Sequence, residues 1–211
     1  MSKWIDIYSI PSGIDADVCH VIRKQMDKVV VRKGTTHDEI DERAEHLKSG
    51  YTDVRSSKVS WLHTDNWISG MMAHFINCAN LESFEFDLVN WGSDIQYTIY
   101  DEEGDCYDWH IDGPLQSAFN PNHYRKLSIS LCLSSKDEYD GGELDVRVGT
   151  LERNYKMDMG DVIIFPSDTL HRVRPIKSGK RISLVGWYAG CLLYTSPSPR
   201  DLSTSRMPSS A

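Results

Sequence analysis

From Phe84 onward the chain is divided into short runs separated by turn signals. That punctuation limits its fold more than any other feature. Such runs, alternating in polarity and rich in β-branched and aromatic residues, read as strands and are too short for helices. Residues 84–88 alternate as Phe-Glu-Phe-Asp-Leu, and further runs follow at 95–100, 106–111, 127–133, 143–148, 152–157, 162–165, 169–173 and 181–188. Residues 101–105, Gly113-Pro114, Asp140-Gly141-Gly142 and Gly160 separate them, because glycine and short polar residues accept turn conformations. Counted from Ile95, this makes about eight strands, the number of a double-sheet jelly roll.

The N-terminal part reads differently. A strand over 4–10 ends at Pro11-Ser12-Gly13. Asp15 is placed to cap a helix running to about Val30, with Val18, Val21, Ile22, Met26 and Val29 on its apolar stripe. Residues 32–50 are charged and read as a surface loop. A strand over 54–62 puts Arg55, Ser57, Val59 and Trp61 on one face. A second amphipathic helix spans 67–80, with Ile68, Met71, Met72, Phe75, Ile76 and Ala79 inward. The fold class is therefore mainly β with flanking helices (α+β), the N-terminal helices packing on one sheet.

The chain has 211 residues, with 40% hydrophobic and 26% charged. That balance suits one globular domain, set here at 1–190 with its β core at about 84–189. A net charge of −8 with no basic stripe speaks against nucleic acid as a partner. No apolar run reaches membrane-spanning length, and Met1–Asp6 has no signal core. Cys19, Cys78, Cys106 and Cys132 are scattered without CxxC spacing, as reduced thiols in a cytoplasmic protein. Residues 191–211, CLLYTSPSPRDLSTSRMPSSA, lose all periodicity. They read as a disordered tail. Back-translated, CLLYTSPSPRD resembles the transposase adapter of short-read DNA libraries and SRMPSSA the flow-cell adapter that follows it, so this tail reads as non-native and carries no function. Genomic DNA amplified from outside the gene tests that reading.

The chemistry concentrates in Tyr107-Asp108-Trp109-His110-Ile111-Asp112. On a strand, His110 and Asp112 leave the same face. With His171 from a later strand they form a 2-His-1-carboxylate set, which suits non-haem Fe(II) and leaves coordination positions open. His63-x-Asp65 repeats the spacing, but Asp65 precedes the second helix and is assigned as its cap. Trp109 faces away from His110 and is assigned to packing. His20 is assigned to a helix surface and His123 to a surface loop. Arg125, at the start of a strand, is a candidate for substrate contact.

Tyr107-x-x-His110-x-Asp112, Tyr139-Asp140-Gly141-Gly142-Glu143-Leu144, Gly160-Asp161, Phe165-Pro166-Ser167, Leu170-His171-Arg172-Val173 and Gly179-Lys180-Arg181 occur in this order. Together they resemble the 2-oxoglutarate- and Fe(II)-dependent dioxygenases, in particular the prolyl-4-hydroxylase-like and PKHD-type hydroxylases. The resemblance covers about 95–188. It implies a double-stranded β-helix, with His110, Asp112 and His171 as iron ligands. Arg181 is implied as the basic residue holding the distal carboxylate of 2-oxoglutarate. A guanidinium suits that task because it grips a carboxylate through two parallel hydrogen bonds. Ser183, on the same strand face as Arg181, and Tyr100 are implied near the co-substrate. The resemblance further implies dioxygen as a reactant, ascorbate as a reductant and hydroxylation of an unactivated C–H. It favours a prolyl residue of a protein or peptide as substrate. A free amino acid or other small molecule, a non-catalytic metal-binding jelly roll, and a zinc hydrolase using the same ligands stay open. The zinc hydrolase has no use for Arg181.

Overall fold

The structure is a computed structural model and describes residues 7–27, 32–33, 55–113, 116–120 and 122–191. In chain order, β1 (Tyr8–Ile10) and α1 (Ala16–Met26) are followed by β2 (Arg32–Lys33), β3 (Arg55–Ser56), β4 (Lys58–Leu62) and α2 (Trp67–Ala79). Then come β5 (Leu88–Trp91), β6 (Ile95–Tyr100), β7 (Cys106–His110), β8 (His123–Cys132), β9 (Tyr139–Gly141) and β10 (Leu144–Val148). The chain continues through β11 (Leu151–Tyr155), β12 (Val162–Pro166), β13 (Leu170–Val173), β14 (Ile176–Gly179) and β15 (Arg181–Cys191).

The strands form a large sheet ordered β1-β12-β8-β15-β6-β4-β2, with β5 also on β15, and a small sheet ordered β11-β10-β13-β7-β3. β14 and β9 make a separate pair. Every pairing is antiparallel. This is the double-stranded β-helix, or jelly roll.

Strand alternation decides what lies on each side of the large sheet. Ile95, Tyr97, Ile99, Leu127, Ile129, Leu131, Ile182 and Leu184 share one core with Cys19, Ile22, Met26, Ile68, Met72 and Ile76 of the two helices. The helices therefore cover the outer face. Residues between these positions point the other way. Tyr100, Cys132, Ile163 and Phe165 form a second core with Leu144, Val146 and Val173 of the small sheet. The same inner face carries Gln96, Thr98, Ser128, Ser130, Arg181 and Ser183, all buried. A buried row that is polar on one face and apolar on the other is a sheet closed over a site.

Several sequence expectations need correction. Asp15 caps α1 through Asp17 N–H, as expected, but the helix stops at Met26, where the Asp27 N–H closes on the Arg23 carbonyl. The cap of α2 is Asn66, not Asp65. Its side-chain oxygen accepts from Ile68 N–H and Ser69 N–H. Residues 84–87 are not a strand, and β5 begins only at Leu88; α2 runs into a wider turn over Asn80–Phe84, and Glu85 ends it at φ 53°. The apparent alternation there reflects Phe84 stacked on Phe86. The expected strand over 54–62 is two strands, because the chain leaves the small sheet after Ser56 and joins the large one at Lys58. Arg32–Lys33 pairs with β4 rather than starting a loop. From Ile95 onward there are ten strands among the described residues. β9 and β14 are the two that the sequence hides, being three and four residues long. The loop expected over 34–50 and the tail from Leu192 on lie outside the described residues, and Cys191 is the last residue of β15.

The outer side of the small sheet is held by one buried carboxylate. Asp145 has a fully buried side chain and accepts from Arg172 Nε at 2.8 Å, Arg174 Nε at 2.6 Å and Asn154 Nδ2 at 2.6 Å. Burial alone raises its pKa. The hydrogen bonds from Arg174, Asn154 and Arg172 outweigh this and hold it below the usual carboxylate range. Asp145→Asn is expected to cost about 2 kcal/mol in urea unfolding. That is less than a fully buried pair, because both arginines keep water contact. The wild-type contribution is complete above the unfolded carboxylate range, near pH 4. It is lost as pH falls through the lower folded value, so the variant's acid limb is expected to be flatter.

Candidate metal centre

β7 and β13 pair antiparallel with His110 directly opposite His171. The two rings lie 4.1 Å apart by centroid. Asp112 lies two residues past His110, beyond the end of β7. Its N–H and that of Gly113 both donate to the Ser167 carbonyl at 2.8 Å. The Asp112 carboxylate then sits with Oδ1 3.7 Å from His110 Nε2 and Oδ2 3.4 Å from His171 Nε2. Among the described residues, these three make the one group of three possible ligands, with all ligand atoms within 4.8 Å of one another.

The hydrogen bonds around the rings choose their tautomers. His110 Nδ1 lies 2.7 Å from the Asp108 carbonyl, and His171 Nδ1 lies 2.9 Å from the Thr169 carbonyl. A carbonyl only accepts, so each Nδ1 carries the proton and each Nε2 presents a lone pair to the centre. Burial, and then the neighbouring His171, push His110 down to about 4, which leaves it neutral as a ligand must be. For Asp112, burial raises the pKa, but His171, His110 and the Ser128 hydroxyl outweigh it and favour the carboxylate. Two neutral imidazoles and one carboxylate are the donors that fit a divalent Fe site with open positions.

Behind the set is a cleft between the two sheets. Arg181 lies in it, 1% exposed, and faces Tyr100 across the β15–β6 ladder. Its Nη1 donates to Ser183 Oγ at 3.2 Å, and Nη2 meets the Met157 sulfur at 4.0 Å. Among the described residues its Nε has no partner. A buried guanidinium with an orphaned nitrogen and no carboxylate hydrogen-bonded to it calls for an acidic ligand. Burial raises the Tyr100 pKa, so its phenol stays a proton donor.

The structure thus brings His110, Asp112, His171, Arg181, Ser183 and Tyr100 to one cleft. It does not bring His63, which is exposed and pairs with Asp94. Arg55 also lines the cleft. Its Nε donates to Ser57 Oγ, its Nη2 to Gln96 Oε1, and its Cζ stands 4.7 Å from the Tyr107 ring, which in turn stacks on His110 at 3.5 Å. Trp187 was not singled out by sequence. It stands under Arg125, whose Cζ is 4.0 Å from its ring, and 6.2 Å from Trp61. Its signal was its strand parity with Arg181 and Ser183 on β15. Trp109, on the far side of the sheet, packs between Arg147 and Arg172. His123 begins β8 instead of lying in a loop, and its Nδ1 is buried.

A family model, that of the 2OG-Fe(II) oxygenase superfamily, matches residues 95–189. The matched segment runs from β6 into β15 and so includes His110, Asp112, His171 and Arg181. A PKHD-type hydroxylase of Hyphomonas neptunium is 41% identical over 85 residues, covering 40% of this chain and 38% of its own length. One of Prochlorococcus marinus is 32% identical over 131 residues, covering 60% and 56%. The chain therefore spans between about two fifths and just over half of such relatives. Among solved structures, a prolyl-4-hydroxylase of Pseudomonas putida superposes with a TM-score of 0.62 at 17% identity, covering 88% of this chain and 92% of that one. The viral collagen prolyl hydroxylase of Paramecium bursaria Chlorella virus-1, solved as a 2OG complex, gives 0.63 at 20% identity, covering 88% and 97%. These structures share the double-stranded β-helix described above.

Packing beside Arg181 also explains the double glycine. Gly141 and Gly142 have φ of 74° and 65°, a turn region that side chains rarely adopt. A Cβ on Gly142 would collide with the Ile176 side chain and stand 3.0 Å from Arg181 Cδ. Gly142→Ala is expected to lose at least about 1–2 kcal/mol of stability from the left-handed backbone alone. It should also blunt ligand binding at Arg181. Thermal unfolding and 2-oxoglutarate titration check the two parts.

Proposed function

We propose that this chain is an Fe(II)- and 2-oxoglutarate-dependent dioxygenase that hydroxylates a prolyl residue of a protein or peptide. The observation that carries the reading is a His110–Asp112–His171 set sharing one cleft with buried Arg181, whose Nε has no partner among the described residues. In this reading His110, Asp112 and His171 hold the iron. Arg181, with Ser183 and the Tyr100 phenol, holds the distal carboxylate of 2-oxoglutarate. The bound metal and co-substrate, with dioxygen, supply the oxidation, turning 2-oxoglutarate into succinate and carbon dioxide. Ascorbate serves as an external reductant.

The chain's own contribution is placement and shielding. Arg181 fixes the far end of the co-substrate so that its oxo-acid end lies toward the three ligands. Tyr107, stacked on His110, and Phe165, 4.7 Å from His171, keep water from the rings. The prolyl assignment is supported by the residues packed around Trp187, which lines the cleft. Trp61 is 49% exposed and tilts toward buried Trp187, giving aromatic faces suited to a flat apolar ring. Arg125 has a buried Nε without a partner there, a donor suited to a peptide carbonyl. The prolyl hydroxylase of Trichoplax adhaerens, solved with a hypoxia inducible factor peptide fragment, has this fold, with a TM-score of 0.64 at 16% identity. Its substrate class is consistent with the proposal. A cytoplasmic placement is supported by the free cysteines among the described residues.

Anaerobic titration of metal-free protein with Fe(II) and 2-oxoglutarate is expected to raise a saturable visible charge-transfer band. His110→Ala should abolish it. Arg181→Ala should weaken 2-oxoglutarate binding about 100-fold while leaving Fe(II) bound, as expected for lost charge-assisted bonds. Bound iron without a band overturns the co-substrate assignment. Proline-containing peptides then report the substrate by the mass of one added oxygen, with free proline and other amino acids run beside them. Arg125→Ala is expected to raise the peptide KM about tenfold and to leave the 2-oxoglutarate KM unchanged. Turnover of free amino acids alone moves the assignment to a small-molecule hydroxylase.

A further inference from the structure

Asp112 differs from the two histidines in how it is held. His110 and His171 sit on strands of the small sheet and are fixed by the ladder between them. Asp112 lies past the end of β7, where no ladder reaches it. What it has instead comes from the large sheet. Ser128, on β8, donates from Oγ to Asp112 Oδ2 at 2.7 Å. Ser128 Oγ also lies 2.9 Å from Ser167 Oγ, just past the end of β12. The Ser167 carbonyl holds the Asp112 and Gly113 N–H groups, and its own N–H is anchored on the Lys126 carbonyl at 2.9 Å.

The chemistry of these groups gives the chain a direction. A carboxylate only accepts, so the one Ser128 proton is committed to Oδ2. The hydrogen between the serines must then belong to Ser167. The order is Ser167 hydroxyl to Ser128 hydroxyl to Asp112 Oδ2. Both serines are 1% exposed, so water does not compete with this order.

We infer that Ser167 and Ser128 form a directional hydroxyl relay that positions Asp112 as a one-oxygen metal ligand. The relay engages Oδ2 and leaves Oδ1 for a divalent ion. The inference rests on the metal reading proposed above. Both serines are positioning residues that act through Asp112. The metal site is thereby assembled from both sheets, with two ligands set by the small sheet and the third set by the large one. Outer partners of metal ligands change metal affinity by about 10- to 100-fold when removed.

The test uses Co(II) as the probe, with calorimetric affinity and the visible ligand-field spectrum as readouts on the full chain. Ser128→Ala is expected to weaken Co(II) binding about 10- to 100-fold. It should also shift the spectrum, because the released Oδ2 is free to join the metal. Ser167→Ala is expected to weaken binding only a few-fold with little spectral change, because Ser128 still donates to Oδ2. Thermal unfolding of the metal-free variants confirms that each is folded. If Ser128→Ala binds Co(II) within about twofold of wild type with an unchanged spectrum, while His171→Ala loses binding, the relay is wrong and the metal reading stands. If Ser167→Ala is as weak as Ser128→Ala, the direction of the relay is wrong. If wild type and His171→Ala bind Co(II) equally, the metal reading falls and the relay falls with it.

Discussion

The arrangement depends first on two strands meeting in one register. β7 and β13 are far apart in sequence, and their antiparallel pairing sets His110 against His171. A slip of one residue on either strand would turn one imidazole to the outer surface, because strand side chains alternate. Asp145, Trp109, Arg147 and Arg172 on that outer face resist such a slip. They make charged and cation–π contacts that exist in one register only. The outside of the small sheet, remote from the cleft, thus helps determine what faces into it.

The large sheet solves a different problem. Its central strands β8, β15 and β6 are buried on both faces, a setting in which polar side chains are costly unless satisfied. The helix-facing side carries Ile, Leu and Tyr almost without interruption. The cleft-facing side carries Gln96, Thr98, Ser128, Ser130, Arg181 and Ser183. Most of the polar atoms there find partners among themselves, as with Arg55 on Gln96 and Thr98 on the same oxygen. Among the described residues Arg181 Nε does not, and its side chain lines the cleft. The polar row is thus the interior of a binding site rather than a fault in the core.

Much of this was legible in the residues. Short alternating runs bounded by glycine and aspartate announce a jelly roll, and a His-x-Asp followed by a distant His and an Arg announces the cleft. Local signals stop short in identifiable places. Asp65 and Asn66 are both good cap residues, and which one caps depends on where the first helical turn begins. Phe84 and Phe86 alternate like strand residues, yet they stack at the end of a helix. Arg55 and Trp187 look like ordinary strand residues until long-range pairing brings them to one cleft. The change of sheet at Ser57 is also invisible locally, because 55–62 alternates smoothly through it.

That change of sheet has a mechanical meaning. Between Ser56 in one sheet and Lys58 in the other there is a single residue. One peptide segment therefore stitches the two sheets together along one border, and they can separate there by no more than its reach. Arg55, lying over Tyr107 beside the stitch, thickens the same border. The opposite border is also joined, by residues 156–161 between β11 and β12, so the two margins of the sandwich are tethered at different lengths.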